Sequence, residues 1–276
     1  MSAAQEPLQP QGLVITLLGT YVRPYGELVW SGGLVELLGE FGFSDGAARV
    51  ALTRLVRRGL LARKRSGRLV HYRLTERCDR LLAEGDGRIF SLGELGASDS
   101  DGWTVLWHQI PEDRRLERAR LARRLRFLGF GSVQDSVWVS PHDHSGEVSA
   151  LLGELGVASS AVVFVARVGS VDGLAAMVER AWDLSGLAAR YEAFDAEFST
   201  YRARGVRLDD REAFLVRTRL MHRFRGFASL DPELPDSPAA VSRVRARAVR
   251  TFRVLYERLA PASQRHFDAV TSASPR

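Results

Sequence analysis

Between residues 45 and 58 apolar side chains recur every three or four positions. Ala48, Ala51, Leu52, Leu55 and Val56 make one stripe, which predicts an amphipathic helix. Ser44 stands at its N-cap, Asp45 suits the positive helix start, and Gly59 is a good stop after Arg58. The period then drops to two. Residues 60–65 and 68–74 read as strands joined at Ser66-Gly67, with Val70, Tyr72 and Leu74 on one face and Leu69, His71 and Arg73 on the other. Upstream, residues 12–22 predict a helix ended by Arg23-Pro24-Tyr25-Gly26, and residues 26–30 a short strand. Ser31 is expected to cap a helix over 31–40 that carries Leu34, Val35, Leu37 and Leu38, and Thr75 to cap one over 76–84.

Gly85-Asp86-Gly87 and residues 93–102 have linker composition, so a boundary is placed near Asp101. Beyond it the pattern alternates: strand 103–110, a helix opened by Pro111 and running to about Leu128, strands 129–134 and 136–140 turning at Asp135, a helix from Pro141 to Leu155, and strand 161–168. The order βαββαβ predicts a ferredoxin-like domain, with two helices on one face of a four-stranded sheet. From Asp172 strand signals vanish. Helical spacing runs through 174–183, 185–204, 209–224, 239–259 and 262–270, interrupted by Gly205 and a Pro-rich turn over 231–238. The expected class is α+β multidomain: a winged helix-turn-helix at 12–84, a linker at 85–102, the ferredoxin-like domain at 103–170 and an all-helical domain at 171–276.

Charge sharpens this picture. The 276 residues carry a net +6, yet residues 44–77 alone hold ten Lys/Arg against Asp45 and Glu76, a local +8. The excess is therefore one surface, the footprint expected for phosphates. On the helix the face opposite the apolar stripe holds Gly46, Arg49, Val50, Thr53 and Arg57, with Arg54 at its edge. Small residues let such a face approach base edges, and Arg reads guanine in the major groove; the same face also suits plain solvation. A basic-tipped hairpin completes the parts of a winged helix, in which the helix enters the major groove and the wing follows the backbone or minor groove. The expected DNA contacts are Ser44, Arg49, Val50, Thr53, Arg54 and Arg57 from the helix, and Arg63, Lys64, Arg65 and Arg68 from the hairpin.

Other chemistry is sparse. The single cysteine, Cys78, excludes an internal disulfide and a multi-thiolate zinc site. No apolar run approaches the roughly 20 residues that span a bilayer, and residues 1–11 do not read as a secretory signal, so the cytoplasm is the expected compartment. His142-x-His144 with Asp143 has metal-ligand types, but at a helix start caps and solvated imidazoles are the commoner use. Arg114, Arg115, Arg118 and the arginines from 120 to 126 make a basic helix, read mainly as an outer face.

Thr20-Tyr21-Val22-Arg23-Pro24, Trp30 and Arg49-x-x-Leu52-x-Arg54-Leu55-Val56-Arg57-x-Gly59 resemble the N-terminal domain of the PaaX family, repressors of phenylacetate-degradation operons. Trp103, Ile110-Pro111-Glu112, Arg124-Leu125, Leu128-Gly129-Phe130-Gly131 and Val137-Trp138-Val139-Ser140-Pro141 resemble its central domain. Ala181-Trp182-Asp183-Leu184, Leu187, Tyr191, Arg217, His222, Arg225, Asp231-Pro232-x-Leu234-Pro235 and Leu255-Tyr256-x-x-Leu259 resemble its C-terminal domain. Gly46, Val50 and Phe224 depart from the family pattern.

The resemblance implies a DNA-binding repressor of a catabolic operon for an aromatic acid, not an enzyme. Its partners would be double-stranded operator DNA and an aryl-acetyl coenzyme A thioester such as phenylacetyl-CoA as effector; because a single winged helix reads few base pairs, a second copy is also expected, in a homodimer assembled mainly through residues after Asp101. No resident cofactor, metal or membrane is implied. Arg217, His222 and Arg225 share one helix and are the candidate effector residues; the same polar face could instead pair with Asp209, Asp210 and Glu212 or with another domain. Two other classes stay open. One is a metal-dependent nuclease, because the central domain is similar in fold to CRISPR-adaptation endonucleases, although the first strand ends on His108-Gln109 with no carboxylate before Glu112. The other is an effector-independent DNA-binding or interaction protein.

Overall fold

The computed structural model describes residues 8–24, 28–94, 102–169, 172–203, 206–234 and 239–272. It opens with α1 (Pro10–Leu17), continued by a π-helical turn over Leu18–Val22. Strand β1 (Val29–Trp30) precedes α2 (Ser31–Gly39) and α3 (Asp45–Arg57), and the hairpin β2 (Leu61–Ser66) and β3 (Leu69–Leu74) leads into α4 (Glu76–Ser91). Then come β4 (Trp103–His108), α5 (Arg115–Phe127), β5 (Gly131–Gln134), β6 (Val137–Ser140), α6 (Ser145–Glu154) and β7 (Ala161–Ala166). The remainder is helical: α7 (Leu174–Ala181), α8 (Leu184–Phe198), α9 (Asp210–Phe224), α10 (Phe227–Leu230), α11 (Ala239–Arg258) and α12 (Ala260–Ser272). The chain is thus mixed α+β, with N-terminal helices and strands, a central sheet and a C-terminal helical region.

Several boundaries differ from expectation, most for a local reason and one through distant contacts. Pro10 sits in the first turn, where its missing N–H costs nothing, so α1 starts before Gly12. Trp30, not Ser31, is the N-cap of α2, and it makes no side-chain cap bond. The hairpin turn is Gly67-Arg68: Ser66 pairs with Leu69, and Gly67 takes a positive φ of 58°, as a two-residue turn with glycine at its first position requires. Finally α4 runs seven residues past Glu84, so the first part of the expected linker is helix. Gly85 and Gly87 each weaken it by about 1 kcal/mol relative to Ala, but Arg23 clamps Asp79 and Asp86, two turns apart on one face. Buried Ile89 and the packing of Phe90 on Phe252 and Tyr256 anchor its end. The boundary at Asp101, the break at Gly205, the end of the Pro-rich turn after Leu234 and the start of the strand expected at Gly26 lie outside the described residues.

Two compact units divide the chain. One comprises residues up to 90, 193–225 and those from 248. Its core joins the apolar stripes of α1, α2 and α3 to Phe214 of α9 and Phe267 of α12. Tyr21 lies between them, its ring 5.0 Å from that of Phe267 and 5.3 Å from that of Phe214. Glu40, just after α2, takes His266 Nε2 at 2.8 Å and Arg211 Nε at 3.0 Å. The late helices α9 and α12 therefore share a core with the first helices, and compactness cuts the chain differently from the sequence-order division at 84, 102 and 170. What drives it is the apolar face of each late helix, which needs a complementary surface and finds it on α1 and α2.

The other unit holds residues 91–192 and 226–247. Its sheet is antiparallel throughout, in the order β5-β6-β4-β7. Leu106 and Trp138 of the sheet, Leu121 and Leu125 of α5, and Val148, Leu151 and Leu152 of α6 form one buried cluster, so both helices cover the same face.

Candidate nucleic-acid interface

Helix α3 is fixed at both ends. Ser44 Oγ accepts a hydrogen bond from Ala47 N at 3.3 Å, so its hydroxyl serves the cap. At the other end Gly59, with φ of 67°, lets its own N–H reach Val56 O at 2.9 Å and that of Leu60 reach Leu55 O at 3.0 Å. Arg77 Nη1 donates to Arg58 O at 3.2 Å, and Thr75 Oγ1 donates to Gly59 O at 2.8 Å while accepting from Cys78 N. The start of α4 is thereby bonded to the end of α3.

With Ala48, Ala51, Leu52 and Leu55 buried, the opposite face is held outward. Arg49, Val50, Thr53, Arg54 and Arg57 are exposed, Val50 to 50%. Arg49 makes only a loose contact with Asp45 at 3.8 Å, both side chains being mostly exposed. Thr53 Oγ1 donates to Arg49 O at 2.8 Å, which leaves its lone pairs and methyl outward.

On the hairpin Arg63, Lys64, Arg65 and Arg68 are all exposed. Tyr72 is buried and Val70 and Leu74 pack on the core, as the alternation of β3 requires. Among the described residues Arg54, Arg57, Arg63, Lys64, Arg65 and Arg68 have no carboxylate partner. Such cations keep their hydration shell and project their field into solvent, where a polyanion releases counterions on binding.

The three arginine and histidine candidates on α9 are placed otherwise. Arg217 is buried, its guanidinium 4.1 Å from the ring centre of Tyr256 and 5.3 Å from that of Tyr21, and its Nε donates to Tyr256 O at 2.9 Å. His222 Nδ1 lies 2.9 Å from Thr16 Oγ1. Burial, then Arg225 and Arg223, push its pKa down to about 4, so the ring is neutral near pH 7. Arg225 Nη1 donates to Thr16 Oγ1 at 3.1 Å and to Gly12 O at 3.4 Å, and burial lowers its pKa. The structure thus brings His222 and Arg225 together on α1 and places Arg217 between two tyrosines. Asp209 and Glu212 are used in a reciprocal cap of α9 and Asp210 by Arg265, so the alternative pairing with those acids is not the one observed.

The remaining candidates are engaged locally. His142 Nε2 lies 3.0 Å from Pro232 O, His144 Nδ1 lies 3.1 Å from Glu147, and Asp143 accepts from Ser145 N. Among the described residues no group of three or more His, Cys, Asp or Glu is placed to hold a metal ion. On α5 Arg115, Arg120, Arg123 and Arg126 face outward. Sequence reasoning missed a buried network in the second unit: Arg245 donates twice to Asp231, at 2.6 and 2.7 Å, and Tyr191 donates to the same carboxylate at 2.7 Å. Burial works against the Arg245 charge and Asp231 outweighs it; burial and that carboxylate push the Tyr191 hydroxyl pKa up. No periodicity signals such a triad, because its members lie 40 and 14 residues from Asp231. Among the described residues no helix is long and apolar enough to cross a membrane.

Comparison with known proteins agrees across the length of the chain. Residues 9–78 match the family model of PaaX-like proteins, 97–178 that of the PaaX protein central Cas2-like domain, and 182–269 that of the PaaX-like C-terminal domain. The transcriptional repressor PaaX of Escherichia coli (strain K12) is 28% identical over 267 residues, covering 93% of this chain and 82% of that protein. The structure of the uncharacterized protein Rv0674 from Mycobacterium tuberculosis superposes with a TM-score of 0.51 at 24% identity, over 94% of this chain and 99% of that one, a likeness of fold. With three family models matched in their proper order, the chain belongs to the PaaX family.

Proposed function

We propose that this protein is a transcriptional repressor of phenylacetic acid catabolism that binds operator DNA through α3 and the β2–β3 hairpin and is released by a small effector. The observation that carries the reading is the positive face of α3 and the hairpin tip, without carboxylate partners among the described residues beyond the loose Asp45 contact, in a chain similar to a transcriptional repressor. In this reading α2 and α3 are a helix-turn-helix pair, α3 is the recognition helix, and the hairpin is the wing. The antiparallel sheet with α5 and α6 on one face is read as a ferredoxin-like domain, its strand order β5-β6-β4-β7 supporting it. The protein acts as a homodimer on two half-sites, since one winged helix reads too few base pairs for a genome. An aryl-acetyl coenzyme A thioester is the effector, and Arg225, whose Nε and Nη2 donors are unspent among the described residues, is the first candidate to meet it.

An effector-independent DNA-binding protein is the second reading, favoured by the use of Arg217 and His222 in packing. Nuclease activity is not proposed, because β4 ends on His108, followed by Gln109, where a metal-holding carboxylate would be needed. The test is selection of preferred duplexes from a random pool, followed by titration of the complex with phenylacetyl-CoA. A sequence-specific dimer footprint that the thioester dissolves supports the first reading. Specific binding indifferent to any acyl-CoA leaves the second, and absence of sequence preference removes both.

A further inference from the structure

Behind the exposed face of α3 lies a cavity of about 520 Å³, bordered by α1, the end of α3, α4 and Arg225 of α9. Its volume falls within the usual range for small-molecule sites, roughly 300–1,000 Å³. Ile15, Leu82 and Cys78 give it an apolar wall, while Arg54, Arg58 and Arg225 reach it from two helices. Among the described residues no Asp or Glu lines it. Arg225 engages Nη1 of its guanidinium, on Gly12 and Thr16, and its Nε and Nη2 donors stay unspent among the described residues. Arg54 and Arg58 have no side-chain partner among the described residues. Three guanidinium groups beside apolar surface, without a counter-charge, lack what an anion would supply.

We propose that this cavity is the effector site, and that its ligand is a small amphiphilic anion whose aryl or acyl body lies against Ile15 and Leu82 while its anionic group is held by Arg54, Arg58 and Arg225. The anion is a carboxylate in a free acid or a phosphate in a coenzyme A thioester. The proposal rests on reading α3 as the DNA-binding helix, and it gives the coupling a physical cause. Arg54 and Arg58 belong to α3 and its C-cap, and a guanidinium neutralised by the ligand no longer attracts a DNA phosphate. By linkage, DNA that holds these arginines weakens the ligand by the same factor.

The closing experiment uses the full chain without DNA, so that it stands whether or not an operator is found. Phenylacetate, phenylacetyl-CoA and coenzyme A are titrated by calorimetry. The expected result is binding of phenylacetate or phenylacetyl-CoA, and a loss of roughly tenfold or more in affinity for each of Arg54→Ser and Arg58→Ser. Arg80→Ser, on α4 but outside the cavity, keeps the wild-type affinity. Stronger binding of the free acid assigns the anion as its carboxylate, and stronger binding of the thioester assigns it as phosphate; either supports the site. Two results overturn the proposal: no binding of any probe at millimolar concentration, and binding unaffected by both arginine substitutions.

Discussion

Helices α3 and α9 belong to the same compact unit and both carry arginines, but the fold treats them in opposite ways. On α3 Arg49, Arg54 and Arg57 stand in solvent, and their carboxylate contacts among the described residues come down to the loose one of Arg49 with Asp45. On α9 Arg217 is drawn inward, stacked on tyrosines and bonded to Tyr256 O, while Arg225 at its C-cap commits Nη1 to α1 and keeps Nε and Nη2 unspent among the described residues. An exposed guanidinium costs the fold little and remains free for a ligand. A buried one must have its N–H groups satisfied, and once they are, its removal damages packing and hydrogen bonding together. Residue type alone therefore does not mark a binding site; what matters is whether the donors are spent.

The sharpest way to break this contrast is to remove the carboxylate that a buried arginine holds. Asp231→Ala leaves Arg245 without its carboxylate in the interior of the second unit and should destabilise that unit by about 3–5 kcal/mol. Chemical denaturation followed at both units measures it, and a loss below about 1 kcal/mol would mean the pair is dispensable. Next comes Arg217→Ala, which removes the stack between Tyr21 and Tyr256 and the bond to Tyr256 O, for an expected loss of about 2–4 kcal/mol. If the variant keeps the wild-type melting temperature but loses response to an acyl-CoA, Arg217 is a ligand residue and the contrast with α3 fails.

His222 supplies a pH test of the same buried face. Its folded pKa of about 4 lies below the ordinary value of 6.5, so the unfolded chain binds a proton more readily between those values. Its contribution to stability is whole above pH 6.5 and is lost as pH falls through 6.5 towards 4, by up to about 3 kcal/mol. His222→Asn should flatten the slope of stability against pH in that window. An unchanged slope would show that the ring does not change its environment on folding.

The smallest effects belong to the exposed face, and they fall on binding instead of stability. Arg49→Ala should cost about 1–3 kcal/mol on the preferred duplex, much less on a scrambled one, and leave the melting temperature within error. Equal losses on both duplexes would mean that α3 holds DNA without reading it. Replacing Arg65 or Arg68 should weaken all sequences alike and lower the slope of log affinity against log salt by about 0.9 for each phosphate no longer neutralised. Unchanged binding of the double alanine variant would remove the hairpin from the interface.

Much of this was legible in advance because it is local. The stripe Ala48, Ala51, Leu52, Leu55, the Ser44 cap and the Gly59 stop act over one to four residues, and helix and hairpin follow within a residue of expectation. The charge excess of residues 44–77 survives folding as a surface property because, among the described residues, no acid from elsewhere in the chain pairs with the cations of α3 or the hairpin tip. Where local signals misled, a distant residue had intervened: Arg23 and the ring of Phe252 carry α4 through two glycines that read as a linker.

The sequence by itself determined the helices, the strand order along the chain, the basic surface and, through its motifs, the PaaX family, since each depends on residues close in the chain or on pattern alone. Only the tertiary structure decided that α9 and α12 complete the core of the N-terminal helices, that Gly12 and Thr16 accept from Arg225 Nη1, and that Arg54, Arg58 and Arg225 border one cavity. Those pairings join residues separated by up to more than two hundred positions. No period or propensity reports them, because the burial of apolar faces that brings such residues together acts on surfaces formed only after the local elements exist.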